Sequence, residues 1–381
     1  MRHLTTMLVA AALAVCAGAR AADDVVVKIG SASAVSGPSA HAGTDTENGA
    51  RMAIEDLNAN GVAINGKRVR WVLMAEDDGG DPKQGTAVAQ KLVDARVAGV
   101  VGHLNSGTTV PASKIYSNAG IPQITPAATT PLYTRQGFKS AFRLVASDSK
   151  VGRALGRYAV DTLKAKRIAV IDDRTAFGQG LADEFIKAVK AAPGAATIVS
   201  RQFTNDKATD FNAILTQVRS KDVDLVFYGG MDAVAGPMLK QMKALGLHAR
   251  FVAGDGVCSE MLPRLAGDGL VDDKLTCAVA GGVSGAQEKR LADFVERYRT
   301  KFRLEVQTYA PYAYDAVMVL ATAMQHARSS EPAKYIPEIA KINYQGVTGT
   351  ISFDAYGDLR DAALTLYTYR NGKKTKLAVV R

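Results

Sequence analysis

A chain of 381 residues, 47% hydrophobic and 22% charged, carries enough apolar material for two or three cores and has no low-complexity tract. Its formal charge of +10 comes from lysines and arginines scattered along the sequence rather than clustered with aromatic residues, which excludes a nucleic-acid patch. Beyond the N-terminus no apolar run approaches the length of a membrane-spanning helix, so the mature chain is expected to be soluble.

The chain opens with a targeting segment. Arg2 and His3 form a basic start, Met7 to Ala17 an apolar run and Ala19-Arg20-Ala21 a cleavage site. The mature protein is then expected to be exported and to begin near Ala22, with its charge lowered to +8 by the loss of Arg2 and Arg20. A lipoprotein site at Cys16 is disfavoured because Val15 is bulky where a small residue is needed. The leader removes Cys16 and leaves Cys258 and Cys277, most simply a disulfide between neighbouring segments in an oxidising compartment. Two cysteines without a nearby histidine fall short of a metal site.

Val25 to Gly30 reads as a buried strand, Gly43 to Asn60 as a helix stopped by Asn60-Gly61, and Arg68 to Ala75 as the next strand. The acidic stretch Glu76 to Pro82 lacks the alternation of a calcium loop; Asp81 as N-cap with Pro82 at the first helical position explains it better. Lys83 to Ala95 follows as a helix, then a strand over Ala98 to Leu104. A helix is expected to begin on Thr108-Thr109 after Asn105-Ser106-Gly107, leaving backbone donors and hydroxyls free for an anion, with Ser106 as a carboxylate cradle. Ile121 to Thr125 is the next strand, ending in Pro126-Ala127-Ala128-Thr129.

Around Phe142 to Asp148 the chain crosses to a second unit of the same alternation. Helices are expected at Lys150–Lys164, Gly180–Ala191, Thr209–Ser220 and Val234–Leu245. The strands between them are Arg167–Asp173, Thr197–Phe203, Asp224–Gly230, Arg250–Gly256 and Leu275–Ala280. Alternating strands and helices mean parallel sheets covered on both faces. Helices over Glu288–Phe302, Pro311–Ala327 and Pro332–Lys341 come next. A strand over Thr348–Phe353 and a hairpin of Ala363–Tyr369 with Leu377–Arg381 across Asn371-Gly372 complete the chain. Neither lobe has a capping set without these pieces, so the chain recrosses and the lobes interweave.

Catalytic patterns are poor. Gly61-x4-Gly66-Lys67-Arg68 lacks the hydroxyl residue of a phosphate loop and follows a helix; nucleophile-elbow and His-Glu-x-x-His motifs are absent; His103 reads as a structural histidine. In open α/β sheets ligands bind beyond the carboxyl ends of the strands. Those ends carry Ser106, Ala127 to Thr129, Asp173 to Phe177, Gly229 to Met231, and Asp255. Hydroxyl and amide donors on one side and a lone carboxylate on the other suit a zwitterion, its carboxylate at Ser106 and Thr129 and its ammonium at Asp255.

The ordered motifs Ser36-Gly37-Pro38, Asn48-Gly49-Ala50, Asp81-Pro82, Gly102-His103-Leu104 with Ser106, Ile124 to Thr129, Phe177-Gly178-Gln179-Gly180, Tyr228-Gly229-Gly230 and Tyr314-Asp315-Ala316-Val317 span the mature chain. In order and spacing the chain resembles the periplasmic leucine/isoleucine/valine-binding proteins of branched-chain amino acid ABC importers. The resemblance implies a type I periplasmic binding protein: two doubly wound parallel-sheet lobes joined by three hinge crossings, closing over a ligand. The lobes would comprise 22–145 with 280–354, and 146–279 with 355–381. It implies a monomeric receptor, not an enzyme, without cofactor or metal, that passes a free apolar amino acid to a permease and its ATPase.

Carried over by position, Ser106 binds the ligand carboxylate, Thr129 meets carboxylate and ammonium, the Ala127 carbonyl accepts from the ammonium, and Ala128 lies between them. Asp255 stands where the family has a glutamate, Ala42 where close relatives carry an aromatic residue, and Met231 and Phe177 where they carry tyrosine. Tyr314 completes the ligand-binding set, and Ala42 is expected to open space for a larger side chain. A cysteine pair of relatives falls on Gly80 and Asn105. Two alternatives stay open: the same fold binding an aromatic carboxylate or amide, and a doubly wound enzyme.

Overall fold

Thirteen of the chain's strands assemble into two sheets, whose carboxyl ends contribute residues to one shared cavity. The structure, a computed structural model, describes residues 25–194, 196–283 and 285–380, so the leader expected at 1–21 lies outside the described residues. The first unit contains β1 (Val25–Ser33), α1 (Ala40–Ala59), β2 (Ala63–Ile64), β3 (Lys67–Asp77), α2 (Pro82–Asp94), β4 (Gly99–Gly102), α3 (Ser106–Asn118), β5 (Gln123–Thr125), α4 (Leu132–Arg135) and β6 (Ala141–Arg143). Its sheet runs β2-β3-β1-β4-β5-β6, parallel except for the short β2. Strands buried on both faces need continuous apolar runs, and β1 and β4 supply them.

The second unit contains α5 (Asp148–Arg157), β7 (Arg167–Asp172), α6 (Ala176–Ala191), β8 (Thr197–Phe203), α7 (Asn212–Arg219), β9 (Leu225–Gly229), α8 (Asp232–Ala244), β10 (Arg250–Ala253), α9 (Leu262–Ala266) and β11 (Leu275–Ala280). The chain then forms α10 (Ala286–Phe302), α11 (Ala310–His326), α12 (Pro332–Lys341), β12 (Tyr344–Gln345) and β13 (Thr350–Ile351), and ends in β14 (Leu364–Arg370) and β15 (Lys373–Val380). The second sheet runs β15-β14-β11-β10-β9-β7-β8: β7 to β11 are parallel, and the terminal hairpin adds antiparallel to β11.

The late helices belong to the first lobe. Ala313, Val317, Leu320 and Met324 of α11 and Tyr335 and Ile339 of α12 share a core with Val27, Ile29, Trp71 and Phe142. Gly49 makes the α1 to α11 packing possible, because a Cβ there would sit 2.0 Å from the Ala310 carbonyl oxygen. The second lobe has cores on both faces of its sheet, one of them built around the stacked rings of Phe185 and Phe227 at 3.9 Å. The chain therefore passes between lobes three times: after β6, after β11 and between β13 and β14. The first and third crossings are tied by fully buried Arg143, whose guanidinium pairs with Asp358 and donates to the Thr130 carbonyl at 2.7 Å.

The Asp81 carboxylate accepts from the Gln84 N–H at 2.9 Å with Pro82 opening α2, so this stretch is a helix start as expected. His103 is fully buried between Asp78 Oδ2 at 2.6 Å and the Tyr116 hydroxyl at 3.1 Å, a satisfied structural histidine. Cys258 and Cys277 form the disulfide, with Cα atoms 5.6 Å apart. The strand expected over Arg250–Gly256 stops at Ala253, before the 3-10 turn Asp255–Val257, and the second hairpin strand, expected over Leu377–Arg381, spans Lys373–Val380. Two further expectations change. Thr348 to Phe353 is not one strand: only Thr350–Ile351 is extended, pairing with Tyr344–Gln345 in a two-stranded ribbon apart from both sheets. The helix expected over Lys150–Lys164 begins at Asp148 and ends in a π-helical turn, Tyr158–Thr162.

Candidate functional site

On the first lobe, β4 ends at Gly102 and α3 begins at Ser106, with Asn105 as N-cap. The expected start on Thr108-Thr109 is two residues late, and the chemistry differs accordingly. The Thr108 and Thr109 hydroxyls donate back to the Asn105 carbonyl at 2.9 and 2.8 Å, so they are not free for an anion. What the helix start leaves without intrahelical acceptors are the Ser106 and Gly107 amides. Ser106 is 2% exposed, and its Oγ accepts from the Thr130 N–H at 3.4 Å, which leaves its own proton to give.

Beside it, the turn after β5 wraps around the Thr125 hydroxyl, which accepts from the Ala127 and Ala128 amides at 3.3 and 2.9 Å. That turn presents Thr129, whose Oγ1 is buried with no hydrogen-bond partner.

On the second lobe, Asp255 opens a 3-10 turn just past β10. Its flanking glycines are closely packed, Gly254 against a leucine tip that can shift and Gly256 against backbone that cannot. A Cβ at Gly254 would meet Leu181 Cδ2 at 2.4 Å, and one at Gly256 would meet Met231 Sδ at 2.7 Å and the Gly230 carbonyl at 2.8 Å. Asp255 Oδ2 accepts from the Tyr309 hydroxyl at 2.8 Å, and Oδ1 is buried without a partner. Burial pushes the Asp255 carboxyl up to about 6, against the lowering effect of the Tyr309 bond.

Together these groups line one cavity of about 20 Å³, room for roughly a single water. The first lobe contributes Leu104, Asn105, Ser106, Ala127, Ala128 and Thr129; Phe177, Met231 and Asp255 face them from the second; Tyr309 comes from the start of α11. Seven residues singled out from the sequence thus converge: Ser106, Ala127, Ala128, Thr129, Phe177, Met231 and Asp255.

Two others do not. Tyr314 lies five residues beyond Tyr309, about 140° around the helix. Its hydroxyl bonds Asp56 at 2.8 Å and its ring meets Phe294 edge-on, so it packs inside the first lobe. Ala42 is buried beside the cavity in a cluster with Ala34, Leu104, Ala127 and Tyr309; the space expected next to it is filled by that cluster. Asp173, a candidate by position, turns into its own loop and accepts from the Thr175 amide and hydroxyl at 3.0 and 2.6 Å.

The residue that sequence reasoning missed is Tyr309. It sits at the N-cap of α11, held by Asp45 of α1, whose carboxylate accepts from the amides of Gln307, Thr308, Tyr309 and Ala310 at 3.0, 3.1, 2.7 and 2.8 Å. A carboxylate at a helix N-terminus is favourably placed, and here it also aims an aromatic hydroxyl across the cleft. Asp148, at the start of α5, is a second buried acid near the cavity; burial pushes its carboxyl up to about 8, an interaction with the Thr129 side chain opposes this, and the Asp255 charge adds to it.

A family model described as "Periplasmic binding protein" matches residues 26–374. The chain belongs to the periplasmic binding protein family. Members of this family are binding proteins rather than enzymes. This periplasmic binding protein is 37% identical over 384 aligned residues to the Leu/Ile/Val-binding protein homolog 1 of Brucella abortus (strain 2308), covering 99% of this chain and 98% of the relative. It is 33% identical to the leucine-, isoleucine-, valine-, threonine-, and alanine-binding protein of Pseudomonas aeruginosa, covering 97% and 96% of the two chains. Among solved structures it resembles the branched-chain amino acid transporter substrate binding protein LivJ of Streptococcus pneumoniae, in complex with isoleucine. The TM-score is 0.83 and the identity 29%, over 93% of this chain and 99% of that one. Among the described residues of this family member, no helix is long and apolar enough to cross a membrane, and no cluster of side chains is suited to hold a metal.

Proposed function

We propose that the protein captures a free apolar amino acid, branched-chain or larger, between its lobes and delivers it to an ABC permease with an attached ATPase. The observation that carries this reading is the pair of buried, unpartnered polar atoms facing one cavity from opposite lobes, Thr129 Oγ1 and Asp255 Oδ1. A buried hydrogen-bonding group without a partner costs roughly 1–3 kcal/mol, which a zwitterion recovers by bonding both ends at once. The carboxylate meets Ser106 Oγ, the first-turn amides of α3 and the Thr129 hydroxyl; the ammonium meets Asp255 and the Ala127 carbonyl. The side chain lies against Phe177, Met231 and Leu104.

The closed cavity is smaller than an amino acid, so the ligand enters an open form, and its ammonium takes over the acceptor that Tyr309 occupies. Closure on the ligand then shifts the population toward the form the permease recognises. The names of the Brucella, Pseudomonas and Streptococcus relatives agree with this substrate class. We further propose export with cleavage near Ala21/Ala22, a monomeric state, and lobes comprising 22–145 with 280–354 and 146–279 with 355–381.

The test is isothermal titration of L-leucine, L-isoleucine, L-valine, L-phenylalanine and benzoate against the wild type and Asp255→Ala. Amino-acid binding lost in Asp255→Ala supports the reading. Benzoate binding unchanged by the substitution, with no amino acid bound by either protein, overturns it in favour of an aromatic carboxylate.

A further inference from the structure

Helix α1 makes a second contact across the cleft, outside the cavity. His41, in its first turn, directs Nε2 at Asp232 Oδ2, 3.0 Å away in the first turn of α8. The helix carrying His41 packs into the first-lobe core through Ala50, Ala53 and Ile54, and the helix carrying Asp232 into the second through Val234 and Met238. The bond therefore joins the two lobes.

Its two ends differ in setting. The Asp232 side chain is 1% exposed, accepts from the Ser259 hydroxyl through the same oxygen, and keeps Oδ1 buried with no partner; the His41 side chain is 22% exposed. A carboxylate that closure removes from water, with one oxygen unsatisfied, needs a facing cation to stay charged at low cost. Only a protonated imidazole supplies one here. The charged groups acting on His41 are Asp232 across the cleft and Asp45 one turn along α1. Both are acidic, and Asp255 lies deeper in the cleft, beyond Tyr309.

We propose that His41 and Asp232 form a proton-dependent latch between the lobes: imidazolium at His41 holds the closed form, and neutral imidazole releases it. Neither residue lines the cavity. It positions the closed site through Met231, which lines the cavity and immediately precedes Asp232 in the chain. Through Asp45, the same helix holds Tyr309.

Burial lowers the His41 pKa, but the bond to Asp232 and the fields of Asp232 and Asp45 outweigh it, so the pKa in the closed form lies above the ordinary value. Closure thus takes up a proton. The latch is fully made below the ordinary histidine pKa of about 6.5 and is lost as pH rises through the closed-form value, with each unit of difference worth about tenfold in the ratio of closed to open protein.

Small-angle scattering of the ligand-free protein tests this without reference to any amino acid. Asp255→Asn, which removes the titration of that carboxyl, and the same protein carrying His41→Gln or His41→Lys are compared at about pH 5.5 and about pH 8.5, on either side of the imidazole titration. The expected result is that the Asp255→Asn protein opens at the higher pH, with the closed-to-open ratio falling about threefold or more. His41→Gln, unable to carry the charge, is open at both values, and His41→Lys, charged at both, is closed at both. Thermal unfolding by circular dichroism confirms that each variant is folded. An Asp255→Asn protein whose dimensions do not change, or one carrying His41→Gln that still opens with pH in the same way, overturns the proposal.

Discussion

Tyr309 and Asp255 belong to different lobes and meet at 2.8 Å, the tyrosine hydroxyl donating to a carboxylate whose other oxygen has no donor. The acid is thus half-satisfied by the protein itself. Tyr309→Phe is expected to lower the midpoint of thermal unfolding of the ligand-free protein by the loss of about 1–3 kcal/mol, and to leave leucine affinity equal or higher, since the ammonium no longer displaces a hydroxyl. Differential scanning calorimetry and titration calorimetry read the two effects separately; a large loss of affinity would mean that Tyr309 bonds the ligand directly.

Asp255 gives a pH signature of definite sign. Its carboxyl is raised from 3.8 to about 6 by burial in the closed form. The ligand-free closed form is therefore favoured by protonation below the lower value, and that advantage is lost as pH rises through about 6, amounting to roughly 3 kcal/mol over two units. An arriving ammonium reverses the preference, so leucine affinity should rise with pH across the same window. Asp255→Asn should abolish this rise, weaken leucine about tenfold to a hundredfold, and stabilise the empty closed form.

Thr129→Val separates a binding role from a folding one. Because Thr129 Oγ1 makes no well-formed hydrogen bond in the protein and acts only on the Asp148 carboxyl, its replacement by a methyl of similar shape should change the unfolding midpoint in denaturant little. Leucine affinity should fall about tenfold, the value of one hydrogen bond to a charged group. Loss of stability with unchanged affinity would show that the hydroxyl serves the turn after β5 instead.

Asp45 is the inverse case, with all its partners internal. Four amides at the start of α11 converge on one buried carboxylate, and Asp45→Ala orphans them together. A loss of about 3–5 kcal/mol in unfolding free energy is expected, with weakened ligand binding following from the release of Tyr309. Chemical denaturation measures the first, and titration of the still-folded variant the second.

Much of this arrangement is written locally. Leu275–Ala280 begins and ends where its apolar run meets Lys274 and Gly281, and Asp81-Pro82 announces α2 through capping chemistry. Ser106, Ala127 to Thr129 and Asp255 were legible because ligands in such sheets sit past strand ends, and these residues are what the strand ends carry. Tyr309 follows no strand. It reaches the cavity from a helix that returns to the first lobe after the second is complete, and its aim is set by Asp45, 264 residues away in sequence. Nothing local distinguishes it from Tyr314, and only the angular position on α11 decides which of the two faces the cleft. The start of α3 was misplaced for a smaller reason: Asn105 caps the helix, and the two threonines that resemble caps instead bond backward to its carbonyl.

The Cys258–Cys277 bridge closes a loop of 19 residues, and both cysteines are fully buried. Replacing both by alanine should lower unfolding free energy by about 3 kcal/mol through the freer unfolded chain. Reductant alone should leave the native protein intact, because the sulfurs are out of reach. Mass spectrometry after alkylation under native conditions checks the second point; rapid labelling would show that the segment around α9 opens locally.

The threefold passage of the chain between lobes has a consequence for biosynthesis. The first sheet is complete by residue 143, yet the helix that covers it beside α1 spans Ala310–His326, and the second sheet gains its edge hairpin only from the last residues. A polypeptide emerging from the ribosome accordingly cannot finish either half until nearly all of it has been made. Stable intermediates short of full length are denied to it.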